Sequence, residues 1–134
     1  PHFERRGFQV LTCPSGEEAV KSLQEWVPDL VLLDYKLKDT MTGLDVIKKL
    51  REFNSTTKVI FLTGRLDDDV KKEAENLGVK VFLIKPVLMS TLDEVIQENL
   101  KSWTVAKKIL IVDDEKLITE TLAGMLRQKN LLEP

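Results

Sequence analysis

Short, wholly apolar runs alternate along the chain with stretches in which apolar residues recur every three or four positions. The first pattern predicts strands covered on both faces, the second amphipathic helices. Residues 8–12 form the first strand signal, just after Gly7. Ser15 then offers a helix cap, and Glu18 three positions on completes a capping-box pattern. Ala19, Val20, Leu23 and Trp26 share one face of that helix, which Pro28 stops. Residues 29–34 read as a strand with the apolar centre Leu30-Val31-Leu32-Leu33 and an aspartate at each end. A polar loop over 35–42 follows, and Leu44, Val46, Ile47 and Leu50 carry a helix to about Phe53. Residues 58–63 predict another buried strand. Asp67, Asp68 and Asp69 give the next helix a negative first turn that suits the helix dipole. That helix ends at Leu77-Gly78, with Gly78 as the left-handed cap. Residues 79–84 are the fourth strand, and Ser90 caps a helix running to about Trp103. After a connector at 102–106, residues 108–112 give a fifth apolar strand that runs straight into Asp113-Asp114. Leu117, Ile118, Leu122, Met125 and Leu126 form the apolar stripe of a last helix.

Strands alternating with helices imply an α/β fold, a parallel sheet covered on both faces with right-handed crossovers. Such sheets bind ligands beyond the carboxyl ends of their strands. That rule selects the residues that end strands: Asp34, Thr63, Lys85, Asp113 and Asp114.

The 134 residues fit a single domain, 1–134, long enough to bury a core without disulfides or a structural metal. A net charge of −2 gives no bulk drive towards nucleic acid or an anionic membrane. The longest apolar runs are strand-sized, so nothing is expected to span a bilayer, and no signal peptide opens the chain. The lone Cys13 excludes an intramolecular disulfide and a Cys-rich zinc site. It reads as a small hydrophobe at a strand end, with a reactive thiol the less common alternative. The lone His2 reads as a solvated terminal residue. Together these features suggest a reduced, cytoplasmic setting.

If the strands ending in Asp34 and in Asp113-Asp114 are neighbours, three carboxylates converge. Two carboxylates about 4 Å apart repel by roughly 4 kcal/mol at an effective dielectric near 20. Such a cluster needs a cation or shared protons. A hard divalent ion, most plausibly Mg²⁺, suits one or two carboxylates plus phosphate oxygens and water. It would neutralise an incoming phosphoryl group and let a carboxylate act as nucleophile. Thr63 offers a hydroxyl and Lys85 a mobile point charge for phosphoryl oxygens. Pro86 offers a cis turn to aim that lysine. Taken singly, each residue has a plainer role: helix cap, turn residue or solvated charge. Jointly they are stronger, because each ends its own apolar strand on the same sheet edge.

Val112-Asp113-Asp114-Glu115, Leu32-Leu33-Asp34, Phe61-Leu62-Thr63-Gly64 and Phe82-Leu83-Ile84-Lys85-Pro86 resemble the signatures of the receiver domain of two-component response regulators. The resemblance implies a three-layer, flavodoxin-like fold with five parallel strands. It implies that Asp34 accepts a phosphoryl group from a histidine kinase or phosphotransfer protein. It also implies that Asp34, Asp113, Asp114 and the backbone carbonyl of Lys36 hold Mg²⁺, with Thr63 and Lys85 on the phosphoryl oxygens. Phe82 matches the aromatic that turns inward when the threonine moves, or else is a core or surface aromatic. Lys36 and Arg65, two residues after Asp34 and Thr63, match positions that tune hydrolysis; they equally suit solvated rim charges.

The segment order departs from the family's. Residues 3–103 correspond to the family's second strand through its last helix, 104–107 to a connector, and 108–130 to the family's first strand and helix. The family's sheet order then becomes 1-5-2-3-4 along this chain. A circular permutation explains that order; so does a piece of a tandem array, because residues 3–7 and 125–129 both resemble the end of a receiver's first helix. Either a monomer completed by its own C-terminal unit or a domain-swapped homodimer is compatible with it. The loop at 35–43 is one residue longer than the commonest family spacing, with Lys38 where proline is usual. A phospho-switch that phosphorylates itself, not a turnover enzyme, is the leading expectation, with output in a partner or domain outside these residues. An interaction module of the same fold without signalling is the alternative. An aspartyl phosphatase fits poorly, since Lys36 stands where a second acid is usual. No basic recognition helix is left over for direct DNA binding.

Overall fold

The computed structural model describes residues 8–37, 39–54, 56–100 and 107–128. Five strands, β1 (Gln9–Cys13), β2 (Leu30–Leu33), β3 (Lys58–Thr63), β4 (Val81–Ile84) and β5 (Lys108–Val112), form one parallel sheet in the order β1-β5-β2-β3-β4. This is a flavodoxin-like fold with the strand order expected from the sequence. Five helices alternate with the strands: α1 (Gly16–Leu23), α2 (Gly43–Phe53), α3 (Asp68–Asn76), α4 (Met89–Asn99) and α5 (Lys116–Arg127).

The period-two alternation within each apolar strand divides the core. Val31, Leu33, Val59, Phe61, Leu110 and Val112 face α1, α2 and Ala74 of α3. Leu30, Leu32, Ile60, Leu62, Ile109 and Ile111 face α4 and α5. All four residues of β2 are buried, as a central strand covered on both faces requires. Each such side chain contributes about 1.5–3 kcal/mol by leaving water.

β5 lies between β1 and β2, with Gln9 opposite Lys108 and Leu30 opposite Ile109. The last helix locks back onto the first strand. Phe8 donates its N–H to the Leu126 carbonyl at 3.2 Å, and Arg127 Nη2 donates to the Val10 carbonyl at 2.7 Å. At the amino end of the sheet Asp29 bridges both neighbours of β2. Its N–H donates to the Lys108 carbonyl, its carboxylate accepts the Lys108 N–H, and its carbonyl accepts the Lys58 N–H.

Local signals set most boundaries. The Ser15 hydroxyl accepts the Glu18 N–H and caps α1. Thr42 and Asp45 form a reciprocal capping box on α2. Gly78 takes φ 90° after α3, the left-handed conformation a glycine accepts without strain. Three details differ from expectation. α1 ends at Leu23, so Trp26 lies in the following turn, although its N–H still donates to the Ser22 carbonyl. Ser90 does not cap α4, because Leu88 carries the extended cap backbone and its carbonyl already accepts the Leu92 N–H. The buried stripe of α5 is Thr119, Leu122, Ala123 and Leu126; Leu117 projects to the other side and is 78% exposed. α4 ends at Asn99, and the expectations for His2, residues 3–7, 101–106 (with Trp103) and 129–130 lie outside the described residues.

Candidate functional site

The carboxyl ends of β5, β2, β3 and β4 meet at one edge, where a cavity of about 830 Å³ is lined by Asp34, Lys36, Thr63, Arg65, Lys85 and Asp114, among others. Asp34 leaves β2 with its N–H donated to the Val112 carbonyl at 3.0 Å. Asp113 leaves β5 with its N–H donated to the Cys13 carbonyl at 3.1 Å. These backbone bonds extend the ladder one residue past each strand and fix where both carboxylates start. Asp34 and Asp113 are buried and Asp114 is half-buried. The three can bring carboxylate oxygens within 4.8 Å of one another.

Lys85 is the counter-charge. Its N–H donates to the Thr63 carbonyl at 2.8 Å, and a cis peptide joins it to Pro86. Its Nζ donates to Asp34 Oδ2 at 3.2 Å, to Asp113 Oδ2 at 2.7 Å and to Glu115 Oε1 at 2.8 Å. Burial disfavours the Lys85 ammonium, but the hydrogen bonds it donates to Asp113 and Glu115, helped by the charges of Asp113 and Asp34, outweigh it and raise its pKa. Burial pushes the Asp34 carboxyl above the usual carboxylate range. Lys85 opposes that shift, Asp113 adds to it, and the bond from the Lys36 N–H opposes it again.

The remaining predicted residues divide. Thr63 is buried and ties its hydroxyl locally, donating to the Arg65 carbonyl at 3.1 Å. Lys36 lines the cavity and donates its N–H to Asp34 Oδ1 at 3.4 Å. The Arg65 guanidinium is drawn to Asp67 at 3.2 Å and is 88% exposed, a rim position. Phe82 is not in the cavity lining. It packs against Phe61 with ring centroids 6.1 Å apart, under the Lys71 ammonium at 5.8 Å.

Three contributors had no role in the sequence-based expectation. Glu115 supplies the third carboxylate on Lys85. Gly43 opens α2 so close beneath the site that a Cβ would lie 2.6 Å from the Asp34 carbonyl oxygen and 2.8 Å from Phe61. Asp39 reaches back from the long loop to cap α1, accepting the N–H groups of Gly16 and Glu17 at 3.2 and 2.9 Å. Only Glu115 had a visible signal, the acidic run from Asp113. The other two depend on which backbones meet in space.

The donor set suits Mg²⁺. All three candidate ligands are carboxylates, hard oxygen donors of the kind Mg²⁺ prefers. Asp34, Asp113 and Glu115 share the Lys85 ammonium, and Asp114 adds a fourth carboxylate beside Asp34 and Asp113, so negative charge is in excess around Lys85. Carboxylates about 5 Å apart repel by roughly 3 kcal/mol per pair at an effective dielectric near 20, which a divalent cation would relieve.

A family model described as the response regulator receiver domain matches residues 2–97. The match ends before β5 and therefore before Asp113 and Asp114. The luminescence regulatory protein LuxO of Vibrio campbellii is 33% identical over 101 residues, 75% of this chain and 22% of that protein. The transcriptional regulatory protein KdpE of Mycobacterium tuberculosis is 32% identical over 123 residues, 89% of this chain and 52% of that protein. The chain thus spans between about a fifth and a half of these relatives. Among solved structures, the chemotaxis protein CheY4 of Vibrio cholerae superposes with a TM-score of 0.62 at 28% identity, covering 69% of this chain and 78% of that one. Strand order, the acidic edge with its lysine, and these likenesses agree: the chain belongs to the response regulator receiver domain family.

Proposed function

We propose that this receiver is a phosphoacceptor switch, with Asp34 the acceptor and a histidine kinase or phosphotransfer protein the donor. One Asp34 oxygen forms the new O–P bond as the P–N bond to the donor imidazole breaks, and the imidazole nitrogen keeps that electron pair. The observation that carries this reading is the convergence of Asp34, Asp113 and Asp114 with Lys85 from three strand ends. Asp34, Asp113, Asp114 and the Lys36 carbonyl would hold Mg²⁺, which supplies charge neutralisation for the incoming phosphoryl group. Lys85 donates to a phosphoryl oxygen. Thr63 gives up its bond to the Arg65 carbonyl to reach another, and Phe82 follows into the space vacated. Lys36 and Arg65 guard the acyl phosphate from water. The chain phosphorylates and dephosphorylates itself and turns over no other substrate.

The reading includes a cytoplasmic location and an output domain or protein beyond these residues. It also includes a circularly permuted receiver, either a self-completed monomer or a domain-swapped homodimer, that binds no nucleic acid directly. Among the described residues no helix is long and apolar enough to cross a membrane.

Incubation with Mg²⁺ and acetyl phosphate tests the chemistry. A phosphoryl mass adduct on Asp34 is expected, not formed when EDTA replaces Mg²⁺ from the start and absent from Asp34→Asn. Folded wild-type protein that gains no adduct would overturn the assignment.

A further inference from the structure

A lysine ammonium has three N–H donors and no acceptor. Lys85 Nζ has three carboxylate partners: Asp34 at 3.2 Å, Asp113 at 2.7 Å and Glu115 at 2.8 Å. Its donors are therefore saturated. An arriving phosphoryl oxygen needs one of them, so one carboxylate has to let go.

The three partners are not equally free to leave. The Asp34 and Asp113 side chains are 10% and 5% exposed, and each also accepts a backbone N–H, from Lys36 and Glu115 respectively. Asp34 and Asp113 would exchange Lys85 for the Mg²⁺ they hold, and Asp34 also for the phosphoryl group it accepts, so neither reaches water when it lets go. The Glu115 side chain is 52% exposed, so water can take over its solvation as it swings out. Glu115 is also one more negative charge beside the place where a phosphoryl dianion must sit.

From this we infer that Glu115 is a positioning residue that keeps Lys85 engaged until the phosphoryl group displaces it, and so sets how tightly the site takes that group. The inference rests on the phosphoacceptor reading. It adds that the affinity of the site is held below what Asp34, Lys85 and the metal ligands alone would give.

The test uses the full chain at saturating Mg²⁺, with beryllofluoride as the phosphoryl analogue and titration followed by NMR. Glu115→Gln removes the charge at nearly constant shape, and Glu115→Ala removes the hydrogen bond as well. Both should bind beryllofluoride about three- to fivefold more tightly, the range appropriate to losing an ion pair with a half-exposed partner. Glu115→Asp, one methylene shorter, should fall between them and wild type. The ¹⁵N signal of the Lys85 ammonium should move in Glu115→Gln before any analogue is added, a signature that a general loss of stability does not produce. Wild-type binding with unchanged or weaker binding by both Gln and Ala variants would overturn the role of Glu115 alone. A wild-type protein that takes neither beryllofluoride nor a phosphoryl group would overturn the phosphoacceptor reading, and this inference with it.

Discussion

Asp34 is held in a state that opposes folding. Its carboxyl is raised chiefly by burial, so the native state binds its proton more tightly than the unfolded chain does. The contribution to stability is complete below the ordinary carboxylate range and is lost as pH rises through the native pKa. Without Mg²⁺, Asp34→Asn should therefore raise the thermal midpoint near neutral pH. The gain should shrink towards zero on acidification; thermal scans in chelator across the acid range check this, and a pH-independent gain would contradict it. Gly43 sits on the other side of that carboxylate's backbone. A methyl group there meets the Asp34 carbonyl and the Phe61 ring, neither able to retreat far. Gly43→Ala should cost about 1–3 kcal/mol in urea denaturation, the usual range for overpacking a tight site. These two residues differ in how readable they were. An aspartate ending an apolar run announces itself. A glycine that must be small because another backbone passes within 3 Å carries no mark in the local pattern.

Elements were legible where one signal controlled them and blurred where tertiary contacts competed. The four apolar residues of β2, the Ser15 cap and the Gly78 terminator acted as their local chemistry prescribes. α4 did not, since the extended cap conformation falls at Leu88 and Ser90 is already the second residue of the helix. Leu117 belonged to the right helix and the wrong face: a stripe drawn from apolar residues alone overlooked Thr119, whose hydroxyl is satisfied by the Lys116 carbonyl and so can be buried. Arg51 of α2 acts between elements. Its Nε donates to the Leu77 carbonyl at 2.7 Å and its Nη1 to the Thr57 carbonyl at 2.7 Å, joining α2 to the end of α3 and the start of β3. Replacing it with alanine leaves two carbonyls short of a charged donor. Arg51→Ala should destabilise the protein by about 1.5–3 kcal/mol, with Arg51→Lys partly restoring stability, as measured by chemical denaturation. Mg²⁺ affinity should hardly change, because Arg51 lies at the opposite end of the sheet from Asp34.

At the scale of the molecule, the strand that arrives last in the chain occupies the middle of the sheet. Without β5, β1 has no strand beside it, β2 loses one of its two partners, and the Asp113-Asp114 pair is missing. Truncation before Lys107 should remove both Mg²⁺ binding, by NMR titration, and cooperative unfolding, by circular dichroism. Retained Mg²⁺ affinity in that fragment would refute the proposed assembly. The strand order was legible because the acidic motif identifies β5 wherever it lies in the chain. The seating of α5 on β1 was not, since it depends on a carbonyl of β1 and a guanidinium more than a hundred positions apart in sequence. The placement of β5 also has a consequence for synthesis. A ribosome releases Asp34 long before it makes Asp113, and Gln9 waits for Lys108 before it has a strand to pair with. A nascent chain interrupted before residue 107 therefore presents Asp34 without its acidic partners, and a sheet with an open slot. In the proposed assembly the acidic site therefore forms only once β5 has been made, however early Asp34 emerges.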